Sequence, residues 1–160
     1  MDWILLFIFV VVCEAVGVSG SFFTVRAIPG WYAKLKKPSF NPPNWIFGPV
    51  WTILYALQGI AAYFVFQSNG IGTAFDVFVV QLALNAVWTP LFFGAKRLGA
   101  ALAELIALLL CIIAAIILFF GINTLAAWLM VPYMLWVAFA TILNYETWRL
   151  NPAASARKNS

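Results

Sequence analysis

Residues 99–120 read GAALAELIALLLCIIAAIILFF, twenty-two positions with a single charge, Glu104. At about 1.5 Å per residue a helix of that length reaches roughly 33 Å, enough to cross the hydrocarbon core of a bilayer. A helix that lies on water needs a polar face, and this run has none. Its solvent is lipid, and in lipid a lone segment satisfies its backbone N–H and C=O groups only as a helix.

The same pattern recurs on both sides of that run. Apolar stretches of similar length occupy about 3–23, 45–67, 75–93 and 125–148, within a chain of 160 residues that is 65% hydrophobic and 9% charged. A soluble domain of this size has too little interior to hide so much apolar surface. The expected fold is an all-α membrane protein: residues 1–150 form a bundle of five transmembrane helices, and 151–160 a flexible cytoplasmic tail. The first run is counted as a span. It lacks the basic leader of a signal peptide, Asp2 being its only early charge, and has no small-residue cleavage site.

Charge sets the orientation. The nine basic residues fall in the first connection (Arg26, Lys34, Lys36, Lys37), the third (Lys96, Arg97) and the C-terminal region (Arg149, Arg157, Lys158). With five spans these regions share one face of the membrane, while the N-terminus and the connections 68–74 and 121–124 share the other and carry none. The positive-inside rule then places the first loop and the C-terminus in the cytoplasm. The net charge of +4 is a signature of topology and of a lipid surface, not of a nucleic-acid partner.

Three connections are short, which predicts antiparallel neighbours. The first is long. Residues 26–45, RAIPGWYAKLKKPSFNPPNW, carry four prolines, four basic residues and four aromatics. Proline forbids a continuing helix, and a disordered linker would hold fewer aromatics, so the segment is expected to fold back and cap one end of the bundle. In the fourth span, Gly99, Ala103, Ala107, Cys111 and Ala115 form a row of small residues, read as close packing within the chain or as a homodimer contact. Gly17 and Gly20 allow close approach on the first span. Cys13 and Cys111 match no metal or redox spacing.

Histidine is absent, which removes the commonest general base and the commonest metal ligand. There is no phosphate-binding loop, dinucleotide fingerprint or nucleophile elbow, so no conventional catalytic site, metal site or required cofactor is expected. Among the acidic residues, Glu104 lies near the Lys96–Arg97 corner and Glu146 three residues before Arg149, and both are read as interfacial pairs. Glu14 falls near mid-span, where it is protonated, bonded to a carbonyl or facing a cavity. Gln81, Asn85 and Thr89 share one helical face and must point inward, to bond between helices or to line a pocket; Asn144 interrupts the fifth span. Tryptophan is in excess, eight in all. Trp31, Trp45, Trp51, Trp88 and Trp148 map to the basic half, Trp136 near the middle, and only Trp3 and Trp128 to the far end. Interfacial belts do not require that asymmetry, and indoles gathered at one end of a bundle suit a planar aromatic ligand.

Several stretches resemble one family. Trp31-Tyr32-x-x-Leu35-x-Lys37-Pro38-x-x-x-Pro42-Pro43-x-Trp45 continues through Gly48-Pro49-Val50-Trp51 to Tyr55, and QLALNAVWTPLFFGAKR and VPYMLWVAFATILNYETWRLN follow later in the chain. These are similar to the patterns of the tryptophan-rich sensory protein and translocator protein family, also called the peripheral benzodiazepine receptor family. The resemblance covers nearly the whole chain. It implies a five-helix bundle, often dimeric, in a bacterial membrane or the mitochondrial outer membrane, binding porphyrins such as protoporphyrin IX, sterols in some members, and synthetic benzodiazepine-type ligands. It implies tetrapyrrole transport or regulation, with light-dependent porphyrin breakdown as the alternative. Carried over by motif, the pocket comprises Trp51, Asn85, Trp88, Trp136 and Ala140 under a loop containing Trp31, with Trp51 and Trp136 matching the tryptophans tied to breakdown. Leu143, Tyr145 and Arg149 match a loose sterol motif. Phe40 stands where tryptophan is frequent, and Glu14 lies outside the pattern.

Overall fold

The computed structural model describes residues 1–152, and among them every long element is a helix: α1 Trp3–Ala27, α2 Asn44–Asn69, α3 Thr73–Thr89, α4 Leu98–Phe120 and α5 Thr124–Leu150. All five are long and apolar enough to cross a membrane, the third when its π-helical extension Pro90–Gly94 is included. The tail expected at 151–160 lies almost wholly outside the described residues, as do Arg157 and Lys158 of the basic set.

Local chemistry explains where the helices stop and start. The Asp2 carboxylate accepts from the backbone N–H groups of Ile4 and Leu5, both at 3.0 Å, and so caps α1. At its other end α1 runs past the expected limit to Ala27, two residues before Pro29, because nothing earlier breaks the helix. Asn123 caps α5 by accepting from the Ala126 N–H at 3.0 Å. Gly70, at φ 65°, ends α2 in the left-handed region and turns the chain toward α3.

The helices pack as a closed ring whose order is α1, α2, α5, α4, α3 and back to α1. The short 70–72 turn joins α2 to α3, yet these two touch only sparsely, so the expectation that consecutive helices are neighbours fails at this step. The reason is that α2 buries its face between α1 and α5. Gly59 permits the first of those contacts: a Cβ there would fall 2.6 Å from the Cα of Val10. The ring's interior is filled by Leu105, Leu108, Ile112 and Phe119 of α4, by Ala61, Ala62 and Val65 of α2, and by Met130, Tyr133 and Val137 of α5.

That use of α4 changes the reading of its small-residue row. The buried face of α4 is the one with leucine and isoleucine, whereas Ala103 and Ala107 are exposed. Close packing within the chain holds only at the ends of the row. Gly99 seats the indole of Trp148, Cys111 Sγ lies 3.6 Å from the Val77 carbonyl, and Ala115 is buried.

The first loop folds over the end of the bundle. Its short 3₁₀ turn, Tyr32–Lys34, buries Tyr32 and Leu35 against Phe92, Leu98 and Ala101. Asn151 pins it from below: its Oδ1 accepts from the Lys36 N–H at 3.0 Å and its Nδ2 donates to the Lys36 carbonyl at 2.8 Å. Phe40 rests near Phe139, ring centroids 6.3 Å apart.

Candidate ligand-binding site

Beneath the loop lies a cavity of about 380 Å³, within the size range of small-molecule sites. Its walls come from four helices. Trp51 and Tyr55 stand one turn apart on α2 and stack at 5.4 Å; Asn85 and Trp88 come from α3; Trp136, Ala140 and Asn144 come from α5; Glu14 and Gly17 begin the α1 wall. The π-helical turn after α3 adds Phe92, which lies 5.2 Å from Trp88. The extra residue per turn lets Phe92 point inward and join cavity to roof.

The floor is polar and bonded across helices, with Gln58 Nε2 and Gln81 Oε1 left without partners. Tyr55 donates its hydroxyl hydrogen to Asn85 Oδ1, and Asn85 Nδ2 donates to the Tyr133 hydroxyl at 2.8 Å. One turn deeper Gln81 Nε2 donates to Gln58 Oε1 at 3.2 Å. Asn144 Nδ2 donates to the Leu98 carbonyl at 2.9 Å, while its Oδ1 has no partner. The indole nitrogens of Trp88 and Trp136 also lack acceptors. A wall with unsatisfied buried donors and an acceptor gains from a ligand that brings the complementary atoms.

The residues singled out in the sequence divide accordingly. Trp51, Asn85, Trp88, Trp136 and Ala140 meet at the cavity. Trp31 does not line it. That indole lies in the roof, edge-on to Phe92 at 5.8 Å, with Lys96 Nζ 5.9 Å from its ring centre. Of the other tryptophans in the basic half, Trp45 and Trp148 face outward, 73% and 38% exposed, and serve the interface. Leu143 is buried and borders the cavity, whereas Tyr145 and Arg149 lie by a separate outer depression, so the three sterol-motif residues share no surface. Arg149 pairs with Glu146 at 2.8 Å, as the spacing suggests. Glu104 does not pair: both its carboxylate oxygens are buried without a partner, because its side chain turns inward while Lys96 goes to Trp31. Of the readings open for Glu14, the cavity-facing one fits its position.

Sequence reasoning passed over the phenols. Tyr55 and Tyr133 complete the bonding of Asn85, and the signal was present, since Tyr55 is one turn beyond Trp51 and Tyr133 one turn before Trp136. In the roof, Tyr32 donates its hydroxyl to Asn41 at 3.2 Å and takes Lys37 Nζ 4.5 Å from its ring centre. Burial raises the Tyr32 pKa, the bond to Asn41 opposing it, and the phenol stays protonated as a donor. No group of residues suited to holding a metal ion occurs among those described.

Comparison with known proteins covers nearly the whole chain. The family model described as TspO/MBR family matches residues 9–149. A tryptophan-rich sensory protein of Cereibacter sphaeroides is 42% identical over 151 residues, 94% of each chain. Protein CrtK of Rhodobacter capsulatus is 39% identical over 158 residues, covering 95% of this chain and 96% of its own. The human translocator protein is 40% identical over 141 residues, 82% of this chain and 83% of its own.

Proposed function

The chain belongs to the TspO/MBR family, and from that premise we propose that it is a membrane receptor or carrier for porphyrins such as protoporphyrin IX and related planar hydrophobic ligands. The observation that carries the reading is the cavity itself: Trp51, Trp88 and Trp136 supply flat polarisable walls around about 380 Å³, at the end of the bundle where the basic residues gather. A macrocycle lies against the indoles, and its propionates extend toward Arg26, Lys34 and Lys36. With no histidine in the chain, a metal-free porphyrin suits the site better than haem. The basic end is cytoplasmic by the distribution of lysine and arginine. The human relative's name, translocator protein, is in keeping with a carrier role, and a homodimer with lipid around it is the proposed assembly. A sterol is a weaker candidate, because its motif residues are split between two surfaces.

One observation favours a second reading, light-dependent breakdown of the bound porphyrin. Trp51 stacks on Tyr55, whose hydroxyl leads through Asn85 to Tyr133, so the oxidisable indole that touches the ligand adjoins a chain of hydrogen-bonded phenols. The breakdown is oxidative, with dissolved dioxygen as the oxidant; the protein contributes placement and the pigment supplies the excited state.

Titration with protoporphyrin IX in nanodiscs, read by tryptophan fluorescence and pigment absorbance, tests both readings. Trp51→Phe and Trp136→Phe keep most of the apolar wall and lose the indole N–H, so affinity should fall by about 1 kcal/mol, or some fivefold. Photoproduct yield should fall much further if breakdown is the activity. Trp3→Phe and Trp128→Phe, at exposed sites on the far end, should alter neither. Equal losses in all four variants would place the pocket elsewhere, and undiminished photochemistry in all four would leave binding as the function.

A further inference from the structure

We propose that the cavity is loaded sideways, from the bilayer leaflet at the basic end, through a cleft between α1 and α2; the proposal rests on the ligand reading above and names its source as molecules already dissolved in lipid.

The cleft follows from where α1 and α2 touch and where they do not. Toward the far end they are locked together: Gly59 lies against the Val10 backbone, and a Cβ on Gly17 would fall 2.4 Å from the Tyr55 ring. From that contact toward the basic end they part. Val18, Ser21 and Val25 of α1 and Gly48 and Thr52 of α2 line the cavity, and all five are exposed on the outside of the bundle, Val18 at 58% and Val25 at 68%. A residue that borders a cavity and is also open to the exterior marks a mouth. On the helix rise these positions lie roughly 3–14 Å in from the basic ends of α1 and α2, within hydrocarbon and its interface. Their chemistry suits that depth: two valines, a glycine and two short hydroxyl side chains, with no charge across the opening.

The aqueous side is shut by comparison. The roof residues Tyr32 and Leu35 are buried, and the double hydrogen bond from Asn151 holds the loop at Lys36 down at the end of α5. A planar amphiphile sliding in between α1 and α2 meets Trp51 and then Trp136 without leaving lipid. Its polar edge can stay at the interface throughout, so no charged group crosses the hydrocarbon.

The test has two arms, the first independent of any ligand. With Cys13 and Cys111 replaced by alanine, a nitroxide at Ala140→Cys on the inner wall is measured in nanodiscs without porphyrin. Collision with molecular oxygen, which concentrates in lipid, should exceed collision with a water-soluble nickel chelate. The reverse result overturns the proposal by showing a water-connected cavity. In the second arm, Gly48→Phe and Gly30→Phe add the same ring at positions where a Cβ meets nothing within 4 Å, one in the cleft and one in the loop. Gly48→Phe should slow protoporphyrin association and dissociation together, on the order of tenfold, while Gly30→Phe changes neither; slowing by Gly30→Phe alone assigns entry to the loop and defeats the idea. A wild type that binds no porphyrin removes the ligand reading, and the nitroxide arm still decides whether the cavity opens to lipid.

Discussion

A methyl group at Gly59 would press on backbone and not on a movable side chain, which makes this position the most sensitive small residue in the α1–α2 contact. Gly59→Ala should destabilise the bundle by about 1–3 kcal/mol through overpacking. Gly48→Ala, where a Cβ meets open space, should be neutral or slightly stabilising as a helix former. Thermal unfolding of both variants in one detergent, followed by far-ultraviolet dichroism, checks the difference, and equal midpoints would contradict the packing. Glu104 is a different case. Its two buried oxygens have no partner, so Glu104→Gln, which keeps the shape and cannot carry charge, should leave the midpoint unchanged or raise it. A clear loss would mean that the carboxyl holds a contact not evident in the fold. From sequence, spacing to Lys96 and Arg97 pointed outward for this residue; which side of a helix a lone acid takes depends on the packing of α4 in the ring, and apolarity all round 99–120 gave no face to choose by.

At the scale of elements, apolar runs and proline marked the five helices closely, because lipid leaves the backbone few alternatives. The connections were harder. Aromatic content marked the 26–45 segment as a cap, yet its anchor is Asn151, and a single asparagine after a helix has no periodicity to reveal a partner across the fold. The π-helical turn Pro90–Gly94 was likewise illegible, although it turns Phe92 inward to link cavity and roof. The pocket residues carried over by motif gather at one cavity except Trp31, since a loop motif conveys residue type without the direction in which the loop folds. Asn151→Ala should free the loop while leaving the helices intact. Limited proteolysis by trypsin at Lys34 and Lys36 should accelerate with helicity unchanged, and an unaltered cleavage rate would show that the two bonds do not hold the roof.

For the molecule as a whole, the closed ring leaves Ala103 and Ala107 on the outer surface of α4, where they contribute nothing to the monomer's core. If the proposed homodimer uses this face, Ala107→Trp should preserve folding and weaken self-association, measured by cross-linking in membranes, with Ile113→Trp as the milder control on the same helix. Equal association in both variants would exclude this face as the dimer contact. Orientation is checked by reporters fused after residue 152 and inserted in 70–72, which should report the cytoplasm and the opposite side; agreement between them would break the five-span count. The bond between Lys36 and Asn151 also has a consequence in time. These residues are 115 positions apart, and at ribosomal speeds of about 5–20 residues per second the second is made on the order of ten seconds after the first. During that interval α1 and then α2 enter the membrane, and the loop between them has nothing to fasten to. The roof is thus secured only once Asn151 is made, and a chain truncated just before Asn151 would hold five helices but no fastened roof.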